Sequence, residues 1–318
     1  MMRLPLILDD AAVATALKMV DVRAELAAMF AGLAEGRAVQ PPQTLAMFPD
    51  GMGDFITYLG AFSDRAVFGA KLSPYVVHES GALVTAWTVI LSMETGQPLL
   101  LCDAKRLTTE RTAGTTALAV DLLAPRGARE LVVIGTGPVG LAHLRHVASL
   151  REWTKVTLCS PGAARRSDLP DRLDSGCPIA IASDAGRAVA SADVVLLCTS
   201  SGLPVLDVKK TKADALITSI STNAPDAHEI DPVMLREMDV YCDYAPTAPL
   251  AAGEMKLAMA RGIWSPDELK GDLPALAVGS APPPTSGRRC FFRSIGLGLE
   301  DVILADAVRR AVMKEPKS

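Results

Sequence analysis

Apolar and polar positions divide this chain into two regions of different texture. From residue 131 onward, short runs rich in valine, isoleucine and leucine recur at 131–135, 155–160, 179–183, 194–199, 216–221 and 240–244. Helical stretches or turns separate them, a pattern that predicts a mostly parallel sheet with helices on both faces. Residues 10–35 instead place apolar side chains at threes and fours, as helices do. Residues 55–101 read as strands, with turns at Ser80-Gly81 and Thr95-Gly96, and predict a mixed or antiparallel sheet. A long helical stretch at 107–123 leads into the second region. Near the end, the loop Ala281-Pro-Pro-Pro-Thr-Ser-Gly287 precedes a helix at 298–313, which is expected to return to the first region. The expected organisation is a discontinuous α+β domain, residues 1–113 with 288–318, around an α/β domain over 114–287.

One junction carries chemistry. Leu131-Val132-Val133-Ile134 runs straight into Gly135-Thr136-Gly137-Pro138-Val139-Gly140, and helical spacing follows from Leu141. Strand, tight turn and helix start in this order suit a dinucleotide pyrophosphate: Gly135 makes the turn, Gly137 admits the phosphates, and Gly140 lets helix and strand pack closely. Pro138 fits the first helical turn, where a missing N–H costs nothing. The same turn also occurs in sheet proteins that bind no nucleotide. The reading is therefore a doubly wound parallel sheet of Rossmann type.

Composition narrows the choice. With 32 Lys and Arg against 36 Asp and Glu, net charge −4, the chain has no basic excess for nucleic acid or a membrane surface. No run approaches the length of a membrane span. Asp9 and Asp10 break the N-terminal apolar stretch, which makes it a poor signal peptide. The six cysteines are scattered, without a Cys-x-x-Cys pair, and histidines are few. Buried free thiols in a cytoplasmic protein explain them better than disulfides or zinc, and no metal is expected.

In such a fold an acid about 20 residues past the glycines usually binds the ribose 2′-hydroxyl. Here that strand ends in Ser160, and Arg165-Arg166 follow. A hydroxyl and two guanidinium groups suit a 2′-phosphate, so NADP(H) is favoured and NAD(H) stays possible. The arginines also fit a solvated helix start. Thr199 and Ser200 are placed to line the cofactor, or serve ordinary turn chemistry.

Arg111-Thr112-Ala113-Gly114-Thr115-Thr116-Ala117-Leu118-Ala119 resembles the Arg-Thr-Ala-Ala-x-Ser-Ala-Leu-Ala signature of the ornithine cyclodeaminase/mu-crystallin family. Thr95-Gly96-Gln97-Pro98-Leu99, Ala192-Asp193-Val194-Val195, Thr199-Ser200-Ser201, Glu229-Ile230-Asp231 and Ser294-Ile295-Gly296-Leu297-Gly298-Leu299-Glu300-Asp301 match in order. The resemblance implies a Rossmann domain plus a substrate and dimerisation domain built from both chain ends, and a homodimer. It also implies action on α-amino acids or their imines with a nicotinamide cofactor.

Carried over by motif, Lys71 in Phe68-Gly69-Ala70-Lys71 resembles the family's active-site lysine and Arg111 its carboxylate clamp. Thr112, Ser221 and Ile295 fall with the cofactor-binding segments. Taken alone, Lys71 also reads as an exposed strand lysine and Arg111 as a helix-surface arginine. Two departures matter. Asn223, in Ser219-Ile220-Ser221-Thr222-Asn223-Ala224-Pro225-Asp226, stands where cyclodeaminases carry a catalytic aspartate. Asn orients a group but takes no proton at neutral pH, and Asp226 substitutes only if the loop is rearranged. Asn223 also fits a simple turn cap. Gln43 stands where many relatives have a carboxylate-binding arginine, which leaves the pocket more tolerant of a cationic side chain. Asp54 then either faces a substrate ammonium or guanidinium, or is an exposed turn residue.

The expectation is an NAD(P)-dependent oxidoreductase of the C–N bond. Its substrate is a basic amino acid such as L-arginine, or a cyclic imine such as pyrroline-2-carboxylate. A cyclodeaminase-type lyase with recycled NAD and a non-catalytic binding protein stand as alternatives.

Overall fold

The computed structural model describes residues 4–79, 81–221 and 226–314. The chain divides into two units, residues 1–111 with 296–318 and residues 112–295. In the first unit β1 (Leu6–Leu8) leads to helices α1 (Asp10–Leu17) and α2 (Val22–Ala34). Asp9 and Asp21 cap these helices, their carboxylates accepting from the N–H groups of Ala12 and Ala24. Strands β2 (Ala38–Val39), β3 (Thr44–Met47), β4 (Gly53–Phe62), β5 (Val67–His78), β6 (Gly81–Val84), β7 (Trp87–Ser92) and β8 (Pro98–Asp103) follow. Helix α3 (Lys105–Leu123) carries the chain past Arg111 into the second unit. That unit contains β9 (Glu130–Ile134), α4 (Pro138–Val147), β10 (Lys155–Cys159), β11 (Ile179–Ala182), α5 (Ala185–Ala188), β12 (Val194–Leu197) and β13 (Leu216–Ser219). It continues through β14 (Asp239–Cys242), α6 (Ala248–Ala251), α7 (Gly253–Ala260), β15 (Leu269–Asp272), α8 (Leu273–Ala277) and β16 (Cys290–Arg293). Helix α9 (Gly298–Lys314) belongs again to the first unit.

The first sheet has the order β1-β8-β7-β5-β4-β2, with β3 on β4 and β6 on β5. It is antiparallel except for β1 beside β8. Register places Tyr58 opposite Lys71 and Asp54 opposite Tyr75, so these four side chains share a face. Helix α9 packs on that face with α1 and α2 beside it. Close approach depends on Gly298, where a Cβ would fall 2.4 Å from the Leu59 carbonyl oxygen. The opposite face carries Leu59, Phe68, Leu72 and Trp87, each 38% to 44% exposed.

The second sheet is parallel throughout, in the order β11-β10-β9-β12-β13-β16-β14-β15. Strands β12, β13, β14 and β16 are buried on both faces, which explains their near-continuous apolar runs. Sequence pattern missed β15 and β16. The first contains Lys270 and Gly271, and the second is four residues long and flanked by Arg288 and Arg289. Because β16 sits between β13 and β14, the chain leaves this unit after Ile295, later than the expected residue 288. The six runs read from the pattern also end slightly too late. Gly135, Ser160, Ser183, Thr199 and Ser221 are loop residues beyond the carboxyl ends of their strands. All six cysteines are buried and free. Among the described residues, no helix is long and apolar enough to cross a membrane.

Candidate functional site

The second unit holds a cleft of about 1070 Å³ at the carboxyl ends of β9, β10, β11 and β12. Strand order reverses at β9, with β10 on one side and β12 on the other, and ligands bind such crevices. The turn from Gly135 to Val139 forms one wall. Gly135 has φ +108°, and a Cβ there would lie 2.3 Å from the Cys198 carbonyl oxygen. A Cβ on Gly140 would lie 1.9 Å from the Gly135 carbonyl oxygen, so strand and helix meet only through glycine. Gly137, at the N-cap of α4, faces open space, and Pro138 opens the helix. An open backbone at a helix N-terminus fits a dinucleotide pyrophosphate, which residues 135–140 would hold.

Ser160 also lines the cleft and shares a 2.9 Å hydrogen bond with the Thr136 hydroxyl. Residues 160–166 contain no acid, while Asp184, just past the neighbouring β11, lines the same cleft. Arg165 is exposed, and the residues lining the cleft include neither it nor Arg166. Arg166 is half-buried: its guanidinium donates to the Thr136 carbonyl and pairs with Asp168.

Thr199 and Ser200 line the other end of the cleft. Glu229, fully buried, holds this end together. One of its oxygens accepts from the Thr199 N–H (2.8 Å) and hydroxyl (2.7 Å). The other accepts from the Ser219 hydroxyl (2.7 Å) and the N–H groups of Ile220 (3.2 Å) and Ser221 (3.3 Å). The Ser221 hydroxyl in turn donates to the Ser201 carbonyl at 2.8 Å. Glu229→Gln turns an acceptor into a donor among donors and leaves a buried N–H unsatisfied. Cofactor Kd is expected to rise by roughly tenfold, measured by quenching of protein fluorescence, and an unchanged Kd would refute the clamp. Ile295 donates its N–H to Asp243 at 2.6 Å, and Thr112 lies in α3. Asn223 lies outside the described residues. Asp226 is exposed, has φ +59° and pairs with Lys256.

The first unit gathers charge in its interior. Lys71 on β5 is 1% exposed, so the surface reading of this residue fails. Its Nζ lies 2.8 Å from Asp301 Oδ2, 3.4 Å from the Thr108 hydroxyl and 4.0 Å from the Tyr58 ring centre. Arg111 on α3 is buried too, with Nε 3.3 Å from Asp301 Oδ1 and a terminal nitrogen 3.2 Å from Glu300. Burial lowers the Lys71 ammonium to about 8, against the pull of Asp301 in the other direction. Burial likewise pushes the Tyr58 phenol up. Glu300 and Asp301 occupy the first turn of α9, where the helix dipole favours carboxylates. Gln43 donates to the Gly296 carbonyl at 2.9 Å, next to the segment against which the Arg111 guanidinium lies. Asp54 is half-buried on the Lys71 face, four residues or roughly 13 Å of strand from Tyr58.

Residues from β5, α3 and α9 therefore build this charged cluster. A model of the ornithine cyclodeaminase/mu-crystallin family matches residues 4–315. The chain belongs to this family. It is 52% identical over 310 residues to the NAD(P)H-dependent anabolic L-arginine dehydrogenase of Pseudomonas aeruginosa, covering 96% of this chain and 97% of that one. It is 30% identical over 216 residues to the iminosuccinate reductase of Paracoccus denitrificans, covering 68% and 67%. Among solved structures, Thermococcus litoralis Delta(1)-pyrroline-2-carboxylate reductase with NADH and L-proline shares the fold. Its TM-score is 0.86 at 20% identity, over 97% of this chain and 98% of that one. Within the family frame, the residues that sequence reasoning overlooked are Tyr58, Glu229, Glu300 and Asp301. The last three stand in the matched motifs, where their types were read only as a signature.

Proposed function

We propose that this protein is an NAD(P)-dependent oxidoreductase acting on the C–N bond of an α-amino acid or its imine, with a basic amino acid, L-arginine first, as substrate. The observation that carries the reading is the buried pair of cations, Lys71 and Arg111. Two such cations in a dry interior form a receptor for a small carboxylate. Arg111 grips it as a planar fork and Lys71 as a point charge, which fixes the α-carbon for reaction. When bound, a nicotinamide cofactor supplies or accepts the hydride at that carbon. Lys71, its ammonium lowered to about 8 by burial, hands a proton to the imine nitrogen on reduction, so that C=N, hydride and proton become CH–NH. Asp54, on the same face, offers a carboxylate to a distal guanidinium. Gln43 adds no competing charge.

Preference for NADP(H) is supported by Ser160 at the diagnostic strand end and by Arg166 held at the Thr136 carbonyl. A homodimer is supported by the apolar face of Leu59, Phe68, Leu72 and Trp87, and six buried free thiols accord with a cytoplasmic setting. Relatives named as pyrroline-2-carboxylate reductases keep a cyclic imine as second substrate reading. The lyase reading needs an acid in the 219–226 loop, and the acid there, Asp226, is exposed and engaged by Lys256.

A substrate panel tests this reading. L-Arginine, L-lysine and L-ornithine with either oxidised cofactor, and pyrroline-2-carboxylate with either reduced one, are followed by the absorbance of reduced nicotinamide. L-Arginine with NADP is expected to give the highest kcat/KM. Asp54→Asn is expected to raise KM for L-arginine by roughly tenfold and leave pyrroline-2-carboxylate untouched. Ammonia release without net change in reduced cofactor would establish the lyase instead.

A further inference from the structure

We propose that Asp301 is the positioning residue of the substrate site, bridging Lys71 and Arg111 so that the two cations stay charged at the spacing a substrate carboxylate must span. The inference rests on the reading that these cations receive that carboxylate. Each oxygen of Asp301 serves a different cation, Oδ2 at 2.8 Å from Lys71 Nζ and Oδ1 at 3.3 Å from Arg111 Nε. Without it, two positive groups would face one another in a buried region, where repulsion is weakly screened.

The other groups around Lys71 do not replace this function. From β4 comes the Tyr58 ring, and from α3 the Thr108 hydroxyl, itself donating to the Ala104 carbonyl at 2.9 Å. Thr88 and Cys102, on β7 and β8, are uncharged at neutral pH, the Cys102 thiol being pushed up to about 12, chiefly by burial. Arg111 is a like charge, and Glu300 is held by Arg111 and the Leu297 N–H (3.4 Å). Among the described residues, Asp301 is thus the carboxylate in contact with Lys71. The lowered lysine value reflects the balance, with burial pulling down most strongly and Asp301 pulling back up. Its place on the first turn of α9 fixes it rigidly, since Gly298 seats that turn directly on β4.

The test compares wild type with Asp301→Asn and Asp301→Glu. Two readouts are used: the pH profile of kcat/KM, and the titration of Lys71 followed by NMR in protein carrying 13C at lysine Cε, assigned with Lys71→Arg. Asn removes the charge but keeps the size. The alkaline limb and the Lys71 titration are both expected to move down by about one to three pH units. Glu keeps the charge and displaces it, so titration stays near the wild-type position while substrate KM rises severalfold. A purely structural Asp301 would lower activity evenly at all pH values and leave Lys71 titrating as in wild type, which would overturn the proposal. If Asp301→Asn does not fold, Asp301→Glu decides, because an unchanged KM would overturn it equally. The NMR titration needs no turnover. A wild type inactive on the whole panel would overturn the functional reading and still leave Asp301 tested.

Discussion

Replacing Lys71 with methionine is expected to lower kcat/KM by roughly 10²–10⁴-fold while cofactor Kd stays unchanged. Methionine fills nearly the same space, so the loss reports the ammonium rather than a hole. In the proposed mechanism it removes both a carboxylate partner and the proton that the imine nitrogen receives. The cofactor contacts assigned here lie in the other unit and keep their partners. Steady-state kinetics beside a fluorescence titration with NADPH checks both halves, and activity within threefold of wild type would remove Lys71 from the mechanism. A stability signature accompanies the kinetic one. Lys71 deprotonates near 8 in the folded protein, against 10.5 for an ordinary lysine. Between those values the unfolded chain holds a proton that the folded chain has released, so this residue's contribution to stability rises with pH. Urea titrations from pH 8 to 10.5 are expected to lose that rise in Lys71→Met.

Arg293→Met is the second large effect, on stability. Arg293 is fully buried at the end of β16, its Nε 2.8 Å from Glu254, and it also donates to the carbonyls of Ser221 and Ser294. Removing it leaves the Glu254 carboxylate buried without a counter-charge, a change that typically costs about 3–5 kcal/mol. Burial already raises Glu254 above the ordinary glutamate value, with Arg293 restraining it. In the mutant the carboxyl climbs further. A group raised in the folded state binds more protons folded than unfolded, so stability falls as pH rises through that window. The deficit is therefore expected to be smaller at pH 5 than at pH 8, measured by urea denaturation. Adding Glu254→Gln is expected to recover most of it. A loss under 1 kcal/mol, or one independent of pH, would refute the account.

What the sequence revealed depended on range. The glycine turn at 135–140 was legible because strand, turn and helix start are contiguous and each glycine answers a local steric demand. Lys71 and Arg111 were found through motif position, since nothing local distinguishes a buried lysine on a strand from an exposed one. Asp301 lies 190 positions from Arg111, and no periodicity announces such a bridge. Strand β16 escaped notice because its burial comes from neighbours on both sides, while its own ends are arginines.

The charged cluster of the first unit has a consequence for what can react there. Its two cations and two carboxylates match in number, and all four are buried, where an imbalance of charge is weakly screened. A substrate carboxylate arriving alone would leave one uncompensated negative charge. An α-nitrogen that arrives protonated, as ammonium or iminium, restores neutrality with the same molecule. On the proposed reading, electroneutrality favours amino acids and iminium ions over 2-oxo and 2-hydroxy acids of identical shape.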